Sequence, residues 1–213
     1  MAKRRTSQVQ RRPRASEQAM TRRVGTARSA RLDWRVVALA GAIVVAIAVV
    51  AIALLVSSGD KKYQGILEPN GGGQHVAVGT FPTYNSTPAT SGPHWNQPGV
   101  APMNWGVYTT AVPEPAVVHN LEHGGIVIWY QASKVSADEV AKLTDFVNAQ
   151  VHTSQFKFIL SPWTGKDFGH PIAVTAWRYL LYLDSADTEG IGAFADLHYG
   201  KSPEPLGGPA QPA

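Results

Sequence analysis

Residues Val36–Val56 form a run of 21 residues without one charged side chain, VVALAGAIVVAIAVVAIALLV. As an α-helix this run extends about 31 Å, enough to cross the hydrocarbon core of a bilayer. Uncharged apolar runs of about 18 residues or more point to a membrane span rather than a buried core helix. The run is also longer than the core of a cleaved signal peptide. The expectation is an uncleaved signal anchor over residues 36–56, with the lipid bilayer as its partner. Arg22, Arg23, Arg28, Arg31 and Arg35 precede the run, whereas Asp60, Lys61 and Lys62 follow it with little net charge. The excess of arginine on one side places the N-terminus in the cytoplasm and residues 57–213 outside. The expected location is thus the cell membrane, single-pass, with an extracytoplasmic C-terminal domain. Trp34 stands where an indole suits the interface.

Charge divides the chain of 213 residues at the same place. Residues 1–35 hold eleven Lys/Arg and two Asp/Glu, a net +9; residues 36–213 hold eight and thirteen, a net −5. A basic, Arg- and Ser-rich arm without apolar periodicity is expected to be disordered over 1–35 and to attract anionic lipid. The acidic remainder argues against nucleic-acid binding by the outside domain. With no cysteine in the sequence, disulfide scaffolds, thiol redox enzymes and Cys-ligated zinc sites are excluded. No G-x-G-x-x-G, G-x-x-x-x-G-K-[ST] or G-x-S-x-G motif is present, which removes the common nucleotide and serine-hydrolase signatures.

Residues 57–80 read as a linker and entry segment, with Gly71-Gly72-Gly73 marking a turn. Residues 81–115 carry seven prolines together with Phe81, Tyr84, Trp95, Trp105 and Tyr108. Seven prolines exclude a regular helix or central strand. The rings argue for an ordered loop that they pin in place. Beyond it, Gly125–Tyr130 is a β-branched and aromatic run, hence a buried strand. Ser136 and Glu139 form a capping box that opens a helix to about Val151. Phe156–Leu160 is a short strand and Ile172–Leu183 a long one. Asp187–Tyr199 reads as a final helix, and residues 201–213 as a flexible Pro/Gly tail. The order of elements predicts an α+β domain over 81–200, with a mostly antiparallel sheet and two helices.

The chemistry centres on histidine. His119-Asn120-Leu121-Glu122-His123 places two imidazoles at i and i+4, on one face of a helical turn, where they can chelate one metal ion. Gly124-Gly125 suits a helix stop just after them. His94, in the turn Ser91-Gly92-Pro93-His94-Trp95, joins the pair if the loop folds over it. His75, His152, His170 and His198 read as hydrogen-bonded structural residues. Glu122 is turned about 100° from His123 around a helix, so it need not ligate directly. The same string fits H-x-x-E-H, the inverted zincin pattern of two zinc-binding histidines and a catalytic Glu. The flanking prolines and glycines leave little room for the long helix a peptidase needs.

Five strings in this order, SGPHW (91–95), WGVY (105–108), VHNLEHGG (118–125), LSPW (160–163) and TAW (175–177), resemble the bacterial family called domain of unknown function 3105. The resemblance covers about residues 63–200. It implies a basic N-terminus, one membrane helix and an exported domain, without an assigned biochemistry. Together, residues and resemblance give the expectation of a metal-binding domain with His94, His119 and His123 as ligands and Met103 and Glu122 as optional ones. Copper is the first expectation, because imidazole suits it and a thioether suits Cu(I); zinc is the second. Two alternatives stand beside it. One is a structural or protein-interaction module with hydrogen-bonded histidines, the other a zinc peptidase. The metal reading favours a protein that is not an enzyme.

Overall fold

The computed structural model describes residues 34–212. The basic arm expected to be disordered therefore lies, but for its last two residues, outside the described residues. The chain divides into two compact units, residues 1–47 and 48–213. The first helix, α1, covers Trp34–Lys62. Among the described residues no helix is long and apolar enough to cross a membrane. This corrects the transmembrane helix expected from the uncharged run. Ala, Leu and Ile favour helix, and the run does become helical. But α1 is not coextensive with it, because the helix also takes in Arg35 and the polar stretch from Ser57 to Lys62.

The second unit is built on a six-stranded sheet. In chain order its strands are β1 (Ile66–Leu67), β4 (Gly106–Val107), β5 (Ile126–Tyr130), β6 (Phe158–Pro162), β7 (Ile172–Ala176) and β8 (Tyr179–Leu183). Their order across the sheet is β1-β8-β7-β5-β6-β4. β5 and β4 both run parallel to β6, whereas β7 is antiparallel to β5 and to β8, and β8 to β1. The sheet is therefore mixed, not mostly antiparallel. The reason is the connection between β5 and β6, which is a helix, α3 (Ala137–Gln150). A crossover of that kind returns the chain parallel to where it left.

A second correction concerns the long strand expected over 172–183. It is a hairpin, β7 and β8, turned at Trp177-Arg178, with Arg178 at φ 66°. No Gly or Asn marks that turn. It is held from outside: Arg178 N–H donates to the Thr90 carbonyl at 2.9 Å, and its Nε to the Glu68 carbonyl at 3.3 Å.

All five residues of β5 and of β7 are buried. Successive strand residues face opposite ways, so both faces of the sheet are covered. α3 packs on β4 and β6, and α4 (Thr188–His198) on β7. The capping box of α3 is present: Ser136 Oγ accepts from Glu139 N–H, and the Glu139 carboxylate accepts from Ser136 N–H. The Pro-rich segment supplies Ala89, Trp105 and Val112 to the same core. Its rings pin it as expected. Trp95 Nε1 donates to the Thr80 carbonyl, Tyr84 Oη to that of Pro93, and Tyr182 Oη to that of Thr87.

Two further elements carry the site. A third helix of this unit, α2 (Glu114–Glu122), stands where the sequence allowed only a turn or two. Pro115 falls in its first turn, where a missing N–H costs nothing. Glu114 reaches back and accepts from Ala89 N–H at 2.6 Å, tying the Pro-rich segment to the helix. Gly124, at φ 78°, ends α2 as the sequence suggested. β2 (His75–Val76) and β3 (His94–Trp95) form a separate two-stranded parallel ribbon, with His75 directly beside His94.

Candidate metal centre

Val117, Val118 and Leu121 of α2 are completely buried or nearly so. Burying side chains of this size contributes about 1.5–3 kcal/mol each, which fixes the rotation of the helix about its axis. That rotation leaves His119 and Glu122, three residues apart, on one face, and α2 packs on β3. The ribbon delivers His75 and His94 to the same place. One ligand atom from each of His75, His94, His119 and Glu122 lies within 4.8 Å of all the others. His94, His119 and Glu122 are buried, and His75 is exposed at the edge.

The hydrogen bonds set the ring tautomers. His94 Nδ1 donates to the Gly92 carbonyl at 2.9 Å, and His119 Nδ1 to the Trp95 carbonyl at 2.8 Å. Each Nε2 is then left with a lone pair, the arrangement a metal-bound imidazole adopts. His75 Nδ1 lies 3.0 Å from Asn96 Nδ2. A half-turn of that amide lets it accept from Nδ1–H, the tautomer that frees Nε2 of His75. Burial holds the pKa of His94 below the ordinary imidazole value and that of His119 at about 4. Both rings are neutral near pH 7 and able to donate their lone pairs.

The sharpest feature is a pair of atoms. His94 Nε2 and Glu122 Oε2 approach to 3.0 Å, yet their angles do not make a hydrogen bond. Both are buried and make no hydrogen bond, and Glu122 Oε2 also stands 3.7 Å from His75 Nε2. Unpaired buried polar atoms are costly, and two of them converging side by side suit a shared third partner. The backbone makes room for this carboxylate. A Cβ added to Gly73 would overlap Glu122 Oε1, so the glycine run lets the entry segment pass close over the site.

His123 is brought near but stands apart. Its ring centre is 4.7 Å from that of His119, but it is not among the four clustered donors. Its Nδ1 donates instead to the Glu204 carbonyl at 3.1 Å. Met103 lines the neighbouring cleft; its backbone N–H and carbonyl pair with the side-chain amide of the buried Asn120 at 2.8 and 2.7 Å. Of the expected residues, His94, His119 and the optional Glu122 converge. His75, read from the sequence as structural, joins them. His170 and His198 do make structural bonds, to Asp184 and to the Gln64 carbonyl. The four donors adjoin a cleft of about 730 Å³, whose walls include His75, His119, His123, Met103 and Tyr108.

The tail read as flexible is strapped down beside this cleft. The buried Lys157 ammonium donates to the carbonyls of His123, Pro205 and Gly207 at 2.9, 2.7 and 3.0 Å. Trp105 Nε1 donates to the Pro209 carbonyl, and Gln211 Nε2 to those of Val151 and Thr153.

The chain matches no curated protein and no solved structure. The family described as protein of unknown function (DUF3105) matches residues 75–211, more than half of the chain. That span begins at the first histidine of the cluster and ends within the strapped tail, so it takes in every donor described above. The chain belongs to the DUF3105 family.

Proposed function

We propose that this protein is a metal-binding protein whose centre is formed by His75, His94, His119 and Glu122. The observation that carries the reading is the convergence of buried His94 Nε2 and Glu122 Oε2, 3.0 Å apart with neither in a hydrogen bond. Three imidazoles and one carboxylate suit a divalent first-row ion, Zn²⁺ or Cu²⁺. A thioether from Met103, which lines the same cleft, would suit Cu(I); the three imidazoles and the carboxylate by themselves suit the divalent state. Metal–donor bonds of about 2.0–2.2 Å require the four donors to draw inward from their present separations. His75 is the exposed donor of the four.

The structural reading keeps one observation in its favour. His119 Nδ1 bonds the Trp95 carbonyl, which alone would fasten the ribbon to α2, and His94 Nδ1 bonds Gly92 within its own turn. It leaves the two orphaned atoms unexplained. The inverted zincin reading asks His123 to ligate and Glu122 to stand off, the reverse of the arrangement found.

Elemental analysis after equilibration with Zn²⁺ or Cu²⁺ and removal of excess metal tests the proposal. About one ion per chain is expected, falling to near zero in His94→Ala and His119→Ala variants that keep their circular dichroism. Wild-type protein that retains neither metal overturns it.

A further inference from the structure

The four donors are not evenly enclosed. His94 and Glu122 form the buried back of the cluster, whereas His75 and His119 also line the 730 Å³ cleft. Cavities of about 300–1,000 Å³ are the size that takes small-molecule ligands. A metal held by this group would thus present one side to a space large enough for a ligand.

His123 stands on the wall of that space with one atom unspent. Its Nδ1 is engaged by the Glu204 carbonyl, and Gly207 lies against its Nδ1–Cε1 edge so closely that a Cβ there would overlap the ring. Its Nε2 has no hydrogen bond among the described residues. Nor is it one of the buried atoms left unpaired, which are His94 Nε2, Glu122 Oε2 and Ser202 Oγ. An unbonded ring atom that is not buried, on a residue lining the cleft, faces the cleft. In the neutral ring Nδ1 holds the proton, so Nε2 is an acceptor. In that form it holds a ligand that brings a proton of its own.

The remaining walls narrow the class further. Neither lysine nor arginine lines the cleft, and its one carboxylate is Glu204. A phosphate or other multiply charged anion would find no cationic side chain there. Asn96, Tyr108 and Met103 offer neutral polar and apolar contact.

Resting on the metal reading above, we propose that the centre keeps a coordination position open to the cleft. It takes a small oxygen donor that carries its own O–H or N–H, such as an alcohol or a hydroxamic acid, with the proton donated to His123 Nε2. His123 is a ligand-binding residue in this arrangement and not a metal ligand. The Glu204 carbonyl and Gly207, both on the tail, are what hold its ring in the required orientation.

Co²⁺-loaded full-length protein tests this through its visible absorption. Titration with acetohydroxamic acid should shift the Co²⁺ bands, and His123→Ala should weaken that binding about 3–10-fold, the loss of one hydrogen bond. The variant should retain Co²⁺ at wild-type stoichiometry. Azide, which has no proton to donate, should bind the wild type and His123→Ala alike. Bands that ignore both probes mean a closed centre, and loss of Co²⁺ from His123→Ala means that His123 is a ligand; either overturns the proposal while leaving a metal centre in place. Failure of the wild type to take up Co²⁺ instead removes the metal reading on which it rests.

Discussion

Glu122 is the residue whose role the structure changed most. Along the helix it sits between two histidines, and its burial is explained only by what it meets: His94 Nε2 at 3.0 Å and His75 Nε2 at 3.7 Å. A direct ligand should matter more than a supporting group, whose loss costs about 10–100-fold in affinity. Glu122→Gln keeps the shape and removes the charge. Its metal dissociation constant, measured by competition with a chelator, should rise by more than about 100-fold; a change under threefold would show that the carboxylate is not a donor.

The histidines also set an acid limit. Unfolded, His119 takes up a proton near pH 6.5; folded, it does so only near 4, because burial disfavours the charged ring. Between these values the unfolded chain binds the extra proton, so acidification favours unfolding. The stability due to the neutral ring is complete above about pH 6.5 and is lost as the pH falls towards 4. Burial lowers His94 and His198 in the same direction. The melting temperature of the metal-free chain should fall steadily from pH 6.5 to 4. It should fall less in His119→Asn, and equal slopes would show that the ring is not shielded from protons.

At the scale of elements, the site is the meeting of α2 with a ribbon only two residues wide on each strand. Neither β2 nor β3 has enough pairing to be stable alone. The ribbon is held by Trp95, which packs on Ala116 of α2 and whose carbonyl accepts from His119, and Gly73 passes close beside Glu122. Gly73→Ala should lower metal affinity about 10–100-fold, the range for a displaced supporting group, with secondary structure unchanged by circular dichroism. α3 offers a contrast because its capping box lies far along the chain from any donor. Ser136→Ala should cost about 1 kcal/mol in denaturant unfolding and leave metal affinity unaltered. A loss of metal in Ser136→Ala would mean that the two parts of the domain are coupled.

For the whole molecule, the informative piece is the C-terminal strap. A chain cut after residue 200 would leave the buried Lys157 ammonium with one of its three carbonyls. It would also strip Glu204 and Gly207 from His123. A buried cation robbed of partners is strongly destabilising. Removal of residues 201–213 should therefore lower the melting temperature by several degrees, and Lys157→Met should make the tail sensitive to protease. A tail equally protected in Lys157→Met would locate its anchor in Trp105 and Gln211 instead.

Several features were legible in the residues themselves because their causes are local. The strand at Ile126–Tyr130, the capping box of α3 and the glycine stop after His123 all follow from side-chain chemistry within a few positions. The approach of His119 and His123, whose ring centres are 4.7 Å apart, belongs to the same class. The direction of β6 and the hairpin at Arg178 were not legible, because crossover geometry and contacts from Thr90 and Glu68 decide them. His75 was hidden for the same reason. A lone histidine beside three glycines has no local signature, and only the register of β2 with β3 sets it against His94. Tertiary structure likewise brings Glu122, and not His123, into the group of four donors. Helical spacing places both near His119, but the packing of Val117, Val118 and Leu121 decides which of them faces the ribbon. The tail drew its carbonyls to a lysine about fifty positions away. Spacing along a chain reports which residues can meet; the burial of their neighbours determines which do.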